Sequence, residues 1–150
     1  MPAPATKLSP QQLIDAAKAP LLNYGRKDWD AVRASITPDF AYDEVATHRK
    51  IQGPDEALAV WRSWAAAFPD SVATFHGAWV SGNTVVLELT WKGTHTGPLE
   101  TPKGPIAPTG KRIEIRACNV VEIAADTGKA KLQRQYFDMA TMLQQLGLTT

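Results

Sequence analysis

Residues 72–96 read VATFHGAWVSGNTVVLELTWKGTHT, and their pattern decides the fold. Two runs rich in β-branched and aromatic residues flank SGN, a hairpin turn. In the second run Val85, Leu87, Leu89 and Trp91 alternate onto one face, the period-two signature of a strand with one buried side. Downstream, TGKRIEIRACNVVEIA (109–124) is strand-like, with Ile113 and Ile115 on one face. DTGK (126–129) is a second turn and KLQRQYFD (131–138) a last strand. Between the hairpin and the 109–124 run, TGPLETPKGPIAPTG (96–110) is a long Pro/Gly loop, which with Leu99 and Ile106 is expected to lie over a cavity mouth as a lid.

Upstream the period changes. GPDEALAVWRSWAAAFPD (53–70) is the clearest helix, started by Gly53 and Pro54, favoured by Asp55 and Glu56 at its positive end, and stopped by Pro69. Ala57, Leu58, Trp61, Trp64, Ala65 and Phe68 form a wide apolar stripe that demands a large partner surface. SPQQ opens an earlier helix with Ser9 as cap and Gln12 closing a capping box; Pro20 is expected to kink or break it. A short helix near Asp28 carries Trp29, Val32, Arg33 and Ile36, and TPDF leads into a brief strand, FAYDEV (40–45). MATMLQQLGL (139–148) closes the chain as a helix stopped by Gly147. Helices followed by a run of strands predict an α+β fold: a curved antiparallel sheet with helices on its concave face, enclosing a conical pocket.

The 150 residues are read as one domain, 1–150, with 44% apolar and 21% charged residues. A net charge of +1 provides no basic field for nucleic acid and no polybasic membrane footprint. Cys118 is the sole cysteine, and His48, His76 and His95 are scattered, so neither a metal site nor a cofactor is expected. MPAPATKLSP has no apolar leader core and nowhere do about 18 apolar residues run together, which predicts a soluble, cytoplasmic protein.

Chemistry is sought on the concave face. On the last strand, Leu132 leads one parity set inward, which would carry Tyr136 and Asp138 into the cavity with Asp138 at its rim. A carboxyl group in an apolar cone suits acid/base work, whereas Asp138 just ahead of a helix also suits a cap. Asp43 and Glu44 follow Tyr42. They are a candidate acid and base, or else one solvated carboxylate and one paired with Arg49 or Lys50. Trp61 and Trp64 either sandwich a planar ligand or pack in the core. Trp91 and His95 share parity, making His95 a second proton-transfer candidate at the mouth or a plain hydrogen-bonded histidine. Arg116 and Asn119 fall on opposite faces unless a bulge near Ala117 intervenes. Cys118 reads as a small packed residue.

ELTWKGTHTGPL (88–99), PTGKRIEI (108–115) and YFDMATMLQQLGL (136–148) together resemble SnoaL-like proteins, the polyketide-cyclase-type branch of the nuclear transport factor 2-like superfamily. FAYDE and the helix at 53–70 fit the same pattern. The resemblance implies an α+β cone, a homodimer, a deep apolar pocket and no metal. It further implies a hydrophobic, carbonyl-bearing substrate closed or isomerised by one aspartate, matched here by Asp138, with Tyr136 or His95 polarising a carbonyl. The expected substrate contacts are Trp61, Trp64, Tyr42, Trp91, Arg116 and Asn119. The histidine usual beside that aspartate has no clear counterpart. The same superfamily holds dehydratases, epoxide hydrolases with an Asp–Arg–Asp cluster, and domains that only bind ligand or dimerise; Asp138, Arg116 or Arg134, and Asp43 are the residues that would imitate the cluster.

Overall fold

The computed structural model describes residues 7–148, so residues 1–6 of the N-terminal stretch read for a leader lie outside it. The elements run α1 (Pro10–Gly25), α2 (Trp29–Ala34), β1 (Ile36–Glu44), a 3-10 turn (Val45–Thr47), β2 (Arg49–Gln52), α3 (Pro54–Ala67), β3 (Val72–Ser81), β4 (Thr84–Thr94), β5 (Arg112–Ile123), β6 (Ala130–Phe137) and α4 (Met139–Gln145). The six strands form one sheet in the order β2-β1-β6-β5-β4-β3. Every neighbouring pair is antiparallel except β1 and β6, which are parallel. Among the described residues no helix is long and apolar enough to cross a membrane.

Local signals account for most boundaries. Ser9 Oγ accepts from Gln12 N–H at 3.1 Å and Gln12 Oε1 accepts from Ser9 N–H at 2.8 Å, the reciprocal box expected of SPQQ. Helix α1 continues past Pro20 to Gly25, so the proline does not break it. Asp28 caps α2, accepting from Ala31 N–H at 3.1 Å. Ile36, assigned to that helix from its spacing, instead opens β1. Strand β2, RKIQ, was not anticipated; it is four residues of alternating exposure, too short to carry a pattern.

The hairpin at 72–94 forms as read, with Val85, Leu87 and Leu89 buried on the inner face. Beyond it, Thr96 and Gly97 donate to the Ala67 carbonyl at 3.1 and 3.2 Å, seating the Pro/Gly loop on the C-terminus of α3. Gly97 is required there, because a Cβ would collide with the Ala66 carbonyl oxygen. Farther along, Leu99 and Ile106 exchange backbone hydrogen bonds at 2.9 and 2.8 Å. Leu99 is buried in a second apolar cluster with Phe68, Ile113, Met142 and Leu146.

Strand β6 departs from its expected facing. Glu122 pairs with Leu132 but Ile123 pairs with Ala130, so the strand bulges at Lys131. The extra residue inverts the parity downstream. Gln133 and Gln135 are buried on the inner face, and Tyr136 is 45% exposed on the outer one.

Candidate active site: a buried carboxylate behind an aromatic cavity

Helices α1, α3 and α4 and the inner face of the sheet enclose a cavity. It is lined by Pro20, Leu21 and Tyr24 of α1, Tyr42 of β1, Trp61 and Trp64 of α3, and Phe68 and Ser71 beyond it. Trp91, Ile113, Ile115, Gln133, Gln135 and Phe137 line the sheet side, with Met142 of α4. The space open to the centre of a water molecule is about 70 Å³. That is a small space, and aromatic rings make up much of its wall. Trp61 meets Tyr42 at 5.2 Å between ring centroids, and Trp64 meets Phe137 edge-on at 5.8 Å. Both tryptophans therefore pack as core and line the cavity at once.

Three polar side chains of this apolar wall, Trp91, Gln135 and Tyr42, form one directed chain that ends on Glu44. The Trp91 indole N–H donates to Gln135 Oε1 at 3.1 Å. Gln135 Nε2 donates to the Tyr42 hydroxyl at 3.1 Å, and that hydroxyl donates to Glu44 Oε2 at 2.8 Å. An indole N–H can only donate, so it fixes the orientation of the Gln135 amide and, through it, the direction of every later bond.

Glu44 is 0% exposed. Its Oε2 also accepts from Trp64 Nε1 at 3.0 Å, while Oε1 accepts from Thr47 Oγ1 at 2.6 Å and from Arg49 Nη2 and Nε at 2.6 and 3.1 Å. A buried carboxylate is tolerable only when so satisfied. Arg49, 40% exposed at its side chain, links it to solvent. Burial first, then the Glu44 charge and hydrogen bond, hold the Tyr42 phenol well above its ordinary range. Tyr24, also buried, is pushed up to about 12, its hydroxyl 2.7 Å from Ser71 Oγ.

The expected site residues are only partly brought together. Trp61, Trp64, Tyr42 and Trp91 converge on the cavity. Asp138 is exposed outside it and caps α4: Oδ1 accepts from Thr141 N–H at 3.0 Å and Oδ2 from Thr141 Oγ1 at 2.6 Å, which lowers its pKa. Tyr136 lies on the outer face, for the parity reason given above. The β4–β5 register is unbroken from Thr84↔Glu122 to Thr94↔Arg112, so no bulge redirects Arg116. It is exposed on the outer face, and Asn119 is buried on the inner one. His95 is buried away from the cavity. Thr109 N–H donates to its Nδ1 at 3.2 Å, which leaves the ring proton on Nε2. Burial lowers its pKa. Cys118 faces outward, its thiol raised by burial and then by the Glu88 charge. None of Asp138, Arg116, Arg134 and Asp43 lines the cavity, so the Asp–Arg–Asp arrangement is not assembled. Among the described residues, no three His, Cys, Asp or Glu side chains group as metal ligands.

Gln133 and Gln135 were missed as site residues. The regular parity read from Leu132 put both on the opposite face, and only the bulge at Lys131 turns them inward.

The family model for SnoaL-like polyketide cyclases matches residues 16–146. The chain belongs to the SnoaL-like family. No curated protein sequence matches it. Among solved structures it is similar to a candidate SnoaL-like polyketide cyclase from Jannaschia sp. CCS1, with a TM-score of 0.80 and 18% identity over 100% of this chain and 99% of that one. IdmH of Streptomyces antibioticus, a candidate polyketide cyclase, matches with a TM-score of 0.75 and 24% identity over 91% and 99% of the two chains. An epoxide hydrolase of M. tuberculosis matches with a TM-score of 0.69 and 24% identity over 91% and 90%. At these identities the likeness establishes the fold alone. This SnoaL-like protein thus shares its frame with structures of differing chemistry, and its own residues must carry the functional argument.

Proposed function

We propose that this SnoaL-like protein is an enzyme acting on a hydrophobic, flat, carbonyl-bearing small molecule, with proton transfer through the Tyr42–Glu44 pair. The observation that carries the reading is the directed chain from Trp91 to a buried carboxylate, which opens to the cavity at Tyr42. In the reaction, the Tyr42 oxygen takes the proton beside the substrate carbonyl while its own proton passes to Glu44 Oε2. The raised pKa of Tyr42 disfavours a free phenolate, so the two protons move together. In this reading the second N–H of Gln135 donates to the carbonyl oxygen as charge develops there. The reverse transfer delivers the proton to the product. In this reading Asp138 is a helix cap, and His95 anchors the Pro/Gly loop.

A second reading has its own support: both Glu44 oxygens are already occupied by donors. The domain would then only bind ligand, with Glu44 knotting β1, β2 and α3 together. The homodimer implied by the family belongs to the same proposal, with Trp79 and Tyr136 exposed on the outer sheet face to meet a second copy; sedimentation of the full chain tests it.

Exchange of the α-protons of 2-tetralone in D2O, followed by NMR, tests the chemistry without a known substrate. The wild type should accelerate exchange. Tyr42→Phe and Glu44→Gln should each lose about 100-fold, whereas Asp138→Asn should retain the rate. Loss in Asp138→Asn alone would return the role to Asp138. Binding without acceleration in any form would leave the binding domain.

A further inference from the structure

The Tyr42–Glu44 chain leaves part of the polar floor unused. Gln133 lines the cavity at 3% exposure, and its Oε1 has no partner among the described residues. Asn119 is 0% exposed, with neither Oδ1 nor Nδ2 partnered among them. In the β5–β6 register Asn119 stands directly opposite Gln135 and diagonal to Gln133, all three on the inner face. Gln135 is committed to Trp91 and Tyr42. Two further carboxamides are therefore buried beside an apolar cavity with hydrogen-bonding capacity unmet. Such groups weaken the fold and call for an explanation.

The same wall says what would meet them. Among the described residues no charged side chain lines the cavity, and Glu44, behind Tyr42, is saturated by its donors. A charged ligand group would lose its water and find no counter-ion. A neutral group that both donates and accepts would satisfy the floor.

We infer that the cavity selects a neutral, flat ligand carrying an N–H or O–H donor next to its carbonyl, as in a lactam or a hydroxy-ketone, and that Gln133, backed by Asn119, is the specificity-determining residue. Gln135 donates to the carbonyl oxygen and Gln133 Oε1 accepts from the adjacent donor. This rests on the proposed reading of the cavity as a ligand pocket, and not on the proton transfer assigned to Tyr42 and Glu44.

The test uses two bicyclic probes of one shape, 2-quinolone and coumarin, which differ by N–H against O beside the same carbonyl. Calorimetric titration of the full chain should give about tenfold tighter binding of 2-quinolone, the worth of one such contact when its loss leaves a buried group unpaired. Gln133→Leu should bring the two affinities together by weakening 2-quinolone alone. Gln133→Met is the second variant, and melting temperatures confirm that each is folded. Equal wild-type affinities, or a preference that survives in both variants, overturns this inference while leaving the pocket reading in place. Failure of both probes to bind overturns the two together.

Discussion

The indole N–H of Trp64 donates to Glu44 Oε2 at 3.0 Å, tying α3 to the end of β1 across twenty residues of chain. The bond does two things. It satisfies one side of a carboxylate that has no solvent, and it fixes the edge of a ring that lines the cavity. Trp64→Phe removes the donor and keeps an aromatic ring. The expected result is a loss of about 1–3 kcal/mol in denaturant unfolding, the range for a hydrogen bond to a buried charged group. An unchanged midpoint would mean that Thr47 and Arg49 alone hold Glu44.

Asp138 gives a contrast between two substitutions. Asn caps as well as Asp, so Asp138→Asn should leave the melting temperature unchanged at neutral pH, and Asp138→Ala should lower it. The folded pKa lies below the ordinary carboxylate value, with the Thr141 side-chain and then backbone hydrogen bonds as the cause. The folded state therefore holds fewer protons than the unfolded chain as acid is added. The cap's contribution is full above the unfolded pKa and fades as pH falls through the folded one. In Asp138→Asn that acid-side component should vanish.

Tyr24 makes an alkaline prediction. Burial raises its pKa from 10 to about 12, partly offset by the bond to Ser71. Between those values the unfolded chain has lost a proton that the folded one keeps, so stability falls as pH rises through the window. The loss is about 3 kcal/mol for two pKa units. Denaturant midpoints taken across that range should fall in the wild type and fall less in Tyr24→Phe.

His95 acts on the acid side of neutrality. Its pKa is lowered from 6.5, chiefly by burial. Below 6.5 the unfolded histidine gains a proton before the folded one does, so stability declines as pH drops toward the folded value. The affected region is the Pro/Gly loop, because His95 N–H donates to the Lys111 carbonyl and its own carbonyl accepts from Gly110 N–H. Protection factors in residues 96–110, which remove the intrinsic pH dependence of amide exchange, should fall below pH 6.5 in the wild type and stay level in His95→Phe.

How far the sequence reveals this arrangement differs from element to element. The 72–94 hairpin and the 54–67 helix were legible because each buries a single face, and a single face writes a clean period. Strand β6 was not. One extra residue at Lys131 inverts its facing, and a bulge leaves no mark in a hydrophobic pattern that already contains glutamines. The ion pair of Glu44 with Arg49 was among the readings of FAYDEV, and the structure contains it at 2.6 Å. What sequence spacing does not convey is the depth of that pair. It is set by Trp64, Tyr42 and the sheet, which converge on Glu44 only in three dimensions.

The parallel seam between β1 and β6 has a consequence for synthesis. Glu44, Thr47, Arg49 and Trp64 lie within one short span, so their knot can close while the ribosome is still working. Gln135 reaches Tyr42 from 93 positions away, and the pairing of their strands waits for almost the whole polypeptide. An emerging chain can therefore close the knot around its acid early, while the strand that brings Gln133 and Gln135 to the cavity joins last.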